Sequence, residues 1–323
     1  MRNTEFDYQS LQLEQVTCPI CKHDDFEQLA TVDRYRMGIT TSGCRNCGLV
    51  MTNPRPVVSA MDNFYRYHYR DYYESVDVPD AAYIKKIQKD VRARYTTNLL
   101  EQAGVMENAS RMLDYGCGEG SLLRELASRH PHLAREAVEP GETFRAFARE
   151  YGSCIVFPDL ESLQSESQGN FDLIVVNHVL EHVMQPSQLL ASLGELLSDT
   201  GQIYIDVPAV EGYRSVASLH IGHMFHFSVH SLSALATSSG FRVERIKHHH
   251  PPNHPVSTHC LISRDTLVPY QTDTDSDDRE SIWPAIRKID HSAWKFMITS
   301  STMYKAVMYI PRRVAGLVSR KHP

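Results

Sequence analysis

The feature that most constrains the fold is a regular alternation of strand-like and helix-like segments between Arg111 and Arg264. Short apolar runs rich in β-branched residues alternate there with segments of helical periodicity. This order is typical of a doubly wound α/β fold, so we predict a seven-stranded, mostly parallel, Rossmann-like sheet. The candidate strands are Arg111–Leu113, Glu136–Val138, Cys154–Phe157, Phe171–Asn177, Gln202–Val207, Phe241–Ile246 and Val256–Ile262.

The last two candidate strands are joined by a short segment that begins with His248-His249-His250-Pro251-Pro252. A parallel pair of strands needs a crossover connection of about a dozen residues or more. We therefore expect the final strand to run antiparallel to its neighbour, and the three histidines to lie in a solvated turn.

A glycine-rich loop joins the first strand to the first helix of this region. It reads Asp114-Tyr115-Gly116-Cys117-Gly118-Glu119-Gly120. Glycines at alternate positions remove side chains, so a ligand can lie against the backbone near a helix N-terminus. The loop alone does not identify that ligand, because dehydrogenases carry similar turns.

Polar residues also follow the next three strands. Glu139 ends the second strand, Asp159 follows the third, and Asn177 ends the fourth, directly before His178. The carboxyl ends of parallel strands meet at one edge of a sheet, where α/β proteins bind ligands. These residues therefore predict a ligand site at that edge.

With these motifs in place, residues 111–264 resemble the class I methyltransferases that depend on S-adenosyl-L-methionine (SAM). The resemblance implies that the first loop contacts the amino acid part of SAM and that Glu139 binds the ribose hydroxyls. Carboxylates suit an ammonium group and a diol, whereas a pyrophosphate cofactor favours amides or cations. The predicted cofactor contacts are Asp114, Gly116, Cys117, Gly118, Gly120, Glu139, Asp159 (at the adenine edge), Asn177 and His178.

Two C-x-x-C pairs lie near the N-terminus, and residues 22–43 separate them. This is the spacing of a zinc ribbon, in which four thiolates fill the coordination sphere of one structural Zn²⁺. Four reduced core cysteines or a redox pair are the alternatives. Thr31–Arg36 is predicted to form a strand of the same small sheet. The predicted zinc ligands are Cys18, Cys21, Cys44 and Cys47.

The motifs divide the chain into four segments. Residues 1–56 form the zinc-binding module and residues 57–108 a helical linker or lid. Residues 109–265 form the methyltransferase domain, and residues 266–323 an acidic linker and a C-terminal helix. The tyrosine-rich stretch Phe64–Tyr73 of the second segment either covers a ligand or packs between domains.

The C-terminal helix combines an apolar face with a basic end. Three partners remain open for that face: the rest of the protein, a second copy in a homodimer, and a membrane surface in peripheral contact. The apolar residues are Trp294, Phe296, Met303, Val307 and Ile310.

The composition narrows the partners and the compartment. The formal net charge of -6 argues against nucleic acid as the main partner, since phosphate binding favours a basic surface. The polar N-terminus and the lack of a long apolar run predict neither a secretory signal nor a transmembrane segment. We expect a soluble, cytoplasmic protein that acts on a small-molecule or glycan acceptor.

Histidines are concentrated in the segments that follow the fourth and fifth strands. His178 and His182 share a face if their segment is helical, and residues 220–228 hold three more histidines. Methyl transfer to a hydroxyl needs in-line alignment and a base, a role that suits neutral histidine. No carboxylate has convincing ligand spacing from these histidines, so a catalytic metal is not predicted. The predicted catalytic residues are His223, His182 and His226.

Three motifs narrow the resemblance to methyltransferases of deoxysugar, nucleotide-sugar and surface-polysaccharide pathways: the cysteine pairs, Asn177–His182 and the histidine block before Ser228. In the C-methylating members, histidines corresponding to His182 and His223 lie at the acceptor, and an acidic residue precedes the second. This chain has Ile221-Gly222 there, which favours O-methylation of a sugar hydroxyl. C-methylation, methylation of another small metabolite or lipid, and a non-catalytic interaction protein are the alternatives.

Overall fold

The computed structural model describes residues 7–35, 37–69, 76, 78–167, 170–265 and 278–299. The N-terminal strands are β1 (Leu13–Glu14), β2 (Phe26–Ala30), β3 (Thr41–Cys44), β4 (Val50–Thr52) and β5 (Arg55–Pro56). Strands β2, β3 and β4 pair antiparallel in that order. Strand β1 pairs with β5 in a separate ladder.

The predicted strand at Thr31–Arg36 is wrong for residues 31–35, and Arg36 lies outside the described residues. The chain turns at Asp33 instead, because one oxygen of this carboxylate accepts hydrogen bonds from the backbone N–H groups of Tyr35 and Met37, both at 2.9 Å. Asp side chains commonly stabilise turns in this way.

Three helices lead from the N-terminal strands to the central sheet. They are α1 (Val58–Tyr67), α2 (Ala81–Ile87) and α3 (Lys89–Gln102). Asp80 caps α2 by accepting the backbone N–H of Tyr83 at 2.6 Å. Gln88, in a left-handed conformation with φ 57°, separates α2 from α3.

The central sheet confirms the predicted α/β fold, although most of its strands are longer than the sequence predicted. These strands are β6 (Arg111–Tyr115), β7 (Ala134–Val138), β8 (Ile155–Phe157), β9 (Phe171–Asn177), β10 (Leu197–Pro208), β12 (Phe241–His249) and β13 (Ser257–Arg264). The intervening helices are α4 (Ser121–Arg129), α5 (Glu142–Tyr151), α6 (Leu160–Glu166), α7 (Pro186–Glu195) and α8 (Val229–Ser238).

The sheet has the strand order β12-β13-β10-β9-β6-β7-β8. Strand β13 is antiparallel to both of its neighbours, which confirms the predicted direction of the final strand. The order reverses beside β6, which lies between β7 and β9. Ligands of open α/β sheets bind beyond the carboxyl ends of the strands at such a switch point.

Successive residues of β9 pack on opposite faces of the sheet. Leu173 and Val175 join a core with α3 and α4, whereas Ile174 and Val176 join a larger core that includes α7 and α8. Apolar residues on both faces are expected of a strand covered by helices on each side.

The N-terminal sheet and the central sheet share one core. A short strand, β11 (Phe225–His226), follows β10 and pairs antiparallel with β4. The backbone N–H of Thr52 also donates to the carbonyl of Met224 at 2.9 Å. The segment that carries His223 and His226 is therefore anchored to the cysteine-containing sheet.

The final described element is helix α9 (Asp278–Thr299). Trp283 is buried against Gly43, where an added Cβ would lie 2.3 Å from the indole ring. Its Nε1 donates to the carbonyl of Gly48 at 3.3 Å, and Ile286 is buried in the same cluster. This part of the helix packs on the chain's own N-terminal sheet.

Other tail predictions lie outside the described residues, namely those for Met303, Val307, Ile310 and most of the acidic linker. Along the described segments, no helix combines the length and apolar character needed to cross a membrane.

The predicted solvated turn at His248–His250 is wrong for His248 and His249, because β12 continues to His249 and pairs there with Ser257. His249 is 8% exposed, and its Nε2 lies 3.0 Å from Oδ1 of Asp206. Its ring stacks on Tyr95. The turn between β12 and β13 begins after the pairing of His249 with Ser257.

Candidate active site

The glycine loop lies at the carboxyl end of β6, beside the switch point of the sheet. Gly116, Gly118 and Gly120 all have left-handed backbone conformations, with φ 82°, 59° and 82°. At Gly116 an added Cβ would lie 2.4 Å from Cγ2 of Val179, so a side chain has no space there. The loop keeps its backbone close to the segment that follows β9.

Three buried carboxylates surround this loop, those of Asp114, Glu119 and Glu139. Glu139 accepts hydrogen bonds from the backbone N–H groups of Gly118 and Gly141 at 3.0 and 2.9 Å. Burial, reinforced by the neighbouring Glu119 and Glu139, raises the pKa of Asp114 to about 7. A cationic ligand would relieve this repulsion.

The remaining predicted cofactor residues occupy different environments. Cys117 is half-buried within the loop. Asp159 is exposed and caps α6 by accepting the backbone N–H of Ser162 at 2.8 Å. Asn177 ends β9 with a buried Oδ1 that has no hydrogen-bond partner among the described residues. His178 follows, its ring centroid 4.4 Å from that of His254.

The segment after Asn177 does not form the α-helix that would place His178 and His182 on one face. His178 has a left-handed conformation, φ 54°, and Leu180–His182 forms a single 3₁₀ turn. The rings of His182 and His223 nevertheless come together, with centroids 4.8 Å apart. The structure thus unites two of the predicted catalytic histidines.

His182 is held in one orientation by its surroundings. Its Nδ1 donates a hydrogen bond to the carbonyl of Gly222, which also accepts the Tyr65 hydroxyl at 2.7 Å. Tyr69 packs edge-on against the same ring. In a neutral imidazole with its hydrogen on Nδ1, Nε2 carries the lone pair.

Three histidines of residues 220–228 form a row. The ring centroids of His220 and His223 are 3.8 Å apart, and those of His223 and His226 are 6.1 Å apart. Nδ1 of His226 contacts the hydroxyl of Tyr213 at 3.0 Å. Burial lowers the pKa of His223 well below its usual value and that of His226 to about 4, so both imidazoles are neutral near pH 7.

Glu181 is the residue that the sequence prediction missed. This residue is 1% exposed, and neither carboxylate oxygen has a hydrogen-bond partner among the described residues. Oε1 lies 3.8 Å from Nε2 of His182 and 3.9 Å from Nε2 of His223. A carboxylate therefore does lie among these histidines, and chain spacing did not indicate it because the 3₁₀ turn directs Glu181 inward.

The four predicted zinc ligands form a second cluster. The Sγ atoms of Cys18 and Cys47 are 3.4 Å apart, those of Cys21 and Cys44 are 3.5 Å apart, and all four lie within 4.8 Å of one another. None forms a disulfide. Sulfurs bound to one tetrahedral Zn²⁺ at about 2.3 Å would be about 3.8 Å apart, so the donor set fits such an ion.

The fold, a matching family model and curated relatives together define the class: the chain is a SAM-dependent methyltransferase. A family model described as a methyltransferase domain matches residues 87–246.

Curated relatives agree with this class. An O-methyltransferase of ubiquinone biosynthesis from Xanthomonas euvesicatoria pv. vesicatoria is 25% identical over 173 residues, which cover 48% of this chain and 70% of the relative. A protein of the same description from Nitrosococcus oceani is 31% identical over 118 residues, or 35% of this chain and 48% of that protein. The second match thus spans about half the relative's length.

Solved methyltransferases resemble the chain more distantly. The plantazolicin methyltransferase BamL, in complex with a desmethylPZN analog and SAH, is 15% identical with a TM-score of 0.48, covering 57% of this chain and 89% of that one. Magnesium protoporphyrin IX methyltransferase from Synechocystis PCC 6803 with bound SAH is 15% identical with a TM-score of 0.47, covering 64% and 99%.

Proposed function

We propose that the chain transfers the methyl group of SAM to a hydroxyl of a nucleotide sugar or glycan. The observation that carries the proposal is the pairing of His182 and His223 beyond β9 and β10. Val179, which lies in the same segment as His182, packs against Gly116 of the glycine loop. The imidazoles of His182 and His223 can accept a hydroxyl proton at the edge where an α/β sheet binds its ligands.

Residues around the glycine loop would bind the cofactor. Asp114 and the loop backbone receive the amino acid part of SAM, and Glu139 receives the ribose hydroxyls while its contacts with Gly118 and Gly141 keep it in place. When bound, SAM supplies an electrophilic methyl group on a sulfonium. Buried carboxylates suit that cation.

The histidines would act on the acceptor. Nε2 of His182, or a ring nitrogen of His223, takes the hydroxyl proton while the acceptor oxygen bonds to the methyl carbon. The electrons of the broken carbon–sulfur bond stay with sulfur, so the positive charge moves from sulfur to the imidazole. His226 lies deeper, against Tyr213, and supports the row.

The cysteine cluster would hold a structural Zn²⁺. Four protein ligands leave no position for chemistry at that ion. Its effect on the reaction is therefore indirect: the metal stabilises the sheet whose strand β4 pairs with β11, and β11 fixes the segment that contains His223.

A hydroxyl of a ubiquinone precursor is the second candidate acceptor, because the curated relatives are O-methyltransferases of ubiquinone biosynthesis. The test is transfer of a labelled methyl group from SAM to nucleotide sugars and to ubiquinone precursors. We expect label in an O-methylated sugar. Label only in the precursors would contradict the sugar assignment but keep O-methyl transfer, and label on carbon would contradict both.

The affinity for SAM should depend on pH through Asp114. The cation favours the ionised carboxylate, so a proton on Asp114 competes with binding below its pKa of about 7. Affinity should therefore rise as pH increases through 7. Between pH 7.5 and pH 6 we expect it to fall by up to about tenfold, as measured by calorimetry.

The matched control for this measurement is Asp114→Asn, which removes the titrating group while keeping its size. This variant should bind SAM more weakly but with little change across the same pH range. Equal affinity of the wild-type protein at both ends of the range would contradict the role of Asp114.

A further inference from the structure

The carboxylate of Glu181 is buried without the partners that a buried charge normally has. It is 1% exposed, and both oxygens lack hydrogen bonds among the described residues. An ionised carboxylate in a protein interior is costly unless it is paired with a cation, bound to a metal or neutralised by a proton. The described residues place imidazoles, rather than a lysine or arginine, within 4 Å of it.

The distances around Glu181 distinguish between a hydrogen bond and a shared ion. Oε1 lies 3.8 Å from Nε2 of His182 and 3.9 Å from Nε2 of His223. These separations exceed the range of about 2.7–3.2 Å for a hydrogen bond. Ligands on one tetrahedral metal ion, each at about 2.0–2.2 Å, are about 3.3–3.6 Å apart, and a small ring rotation reaches that spacing.

The orientation of His182 is also that of a metal-binding histidine. Metal-binding histidines usually donate their second ring N–H to a carbonyl or carboxylate, which fixes the ring and leaves the other nitrogen for the metal. Nδ1 of His182 donates to the carbonyl of Gly222, and Nε2 faces Glu181. On the other side, Nδ1 of His178 lies 3.4 Å from the same carboxylate oxygen.

We propose that Glu181, His182 and His223 bind a divalent transition-metal ion, distinct from the ion assigned to the four cysteines. Two imidazoles and one carboxylate are a donor set for Zn²⁺ or Fe²⁺, and they leave a coordination position open. The three ligand atoms lie within 4.8 Å of one another. Glu181 and His182 lie in the turn after β9, and His223 lies in the segment before β11.

The inference rests on the proposed O-methyl transfer and changes one step of it. An ion at this position can bind the acceptor hydroxyl and lower its pKa. The proton then passes to water instead of to His182 or His223, the oxygen bonds to the methyl carbon, and the carbon–sulfur electrons stay with sulfur. The imidazoles act through the ion.

The experiment measures zinc per chain by mass spectrometry after loading the full-length protein with Zn²⁺ and removing loose ions. The wild-type protein should retain about one ion more than Glu181→Gln, an isosteric variant without the charged ligand. His223→Gln should lose the same ion. His132→Ala, which removes an exposed imidazole elsewhere, should match the wild-type protein.

Substitution with Co²⁺ separates the two sites by spectroscopy, since thiolate ligands give an intense charge-transfer band that nitrogen and oxygen ligands lack. In Glu181→Gln the charge-transfer band should persist while the remaining visible absorption decreases. If both variants fail to fold, the zinc content of the wild-type protein still decides the question. A wild-type protein that retains only the cysteine-bound ion would overturn the inference.

Methyl transfer by a protein without the second ion would overturn this inference and leave the proposed function intact. If the protein binds the second ion but methylates no hydroxyl acceptor, the metal site stands and the proposed function is overturned. Retention of both ions by Glu181→Gln and His223→Gln would also overturn the inference.

Discussion

Replacement of His223 by alanine should lower kcat for methyl transfer by about 10²–10⁴-fold, the usual contribution of a positioned proton acceptor. His223 has a buried ring beside His182, and burial keeps its imidazole neutral. The dissociation constant for SAM should change little, because the predicted cofactor contacts lie at the ends of other strands. Steady-state kinetics and calorimetry on the same preparation measure both effects.

His132→Ala is the control for that experiment, since it removes an exposed histidine on another part of the domain. It should keep the wild-type kcat. A His223→Ala enzyme with wild-type kcat would show that the histidine pair does not act on the acceptor. A loss of SAM binding of similar size would instead show that the substitution disturbs the cofactor site.

The second large effect should come from Cys44→Ser. Cys44 is buried, and its Sγ lies 3.5 Å from that of Cys21 within the four-cysteine cluster. Structural zinc contributes about 10–16 kcal/mol to the folding of small zinc domains, so loss of one ligand should unfold the module. We expect about one zinc ion fewer per chain and loss of amide-exchange protection in β2–β4.

The methyltransferase reaction should weaken in the same variant, because β4 supports β11 and the segment before it. Cys154→Ser, which changes a half-buried cysteine outside the cluster, is the matched control and should keep both zinc and activity. Unchanged zinc content and exchange protection in Cys44→Ser would contradict the structural role of the cluster.

The central sheet could be predicted from sequence because its strands are buried on both faces. Runs such as Phe171–Asn177 are almost continuously apolar, and glycines and helical patterns separate them. The antiparallel direction of the last strand followed from the length of one connection. These signals are local in the chain, so they can be detected without knowledge of the tertiary packing.

The contacts that assemble the site had no comparable signal. Strand β11 has only two residues, and its pairing with β4 joins segments far apart in sequence. A strand of that length has no periodicity to detect. The buried position of His249 likewise depends on Asp206 in a different strand. Both the formation of β11 and the burial of His249 therefore depend on contacts between residues that are distant in the sequence.

Glu181 shows the same limit at the site itself. In the sequence Leu180-Glu181-His182, Glu181 resembles an ordinary polar residue on a surface. The predicted α-helix did not indicate that its side chain would point into the protein. The left-handed conformation of His178 and the 3₁₀ turn change that direction. The buried carboxylate could be recognised only with the surrounding imidazoles in place.

The most direct test of the account is a crystal structure with SAH and an O-methylated product bound. The methoxy oxygen should lie within about 3.2 Å of Nε2 of His182, a ring nitrogen of His223, or an ion that they hold, with the sulfur of SAH facing it from the glycine loop. A product oxygen bound elsewhere, for example against Asp206 and His249, would contradict the proposed mechanism.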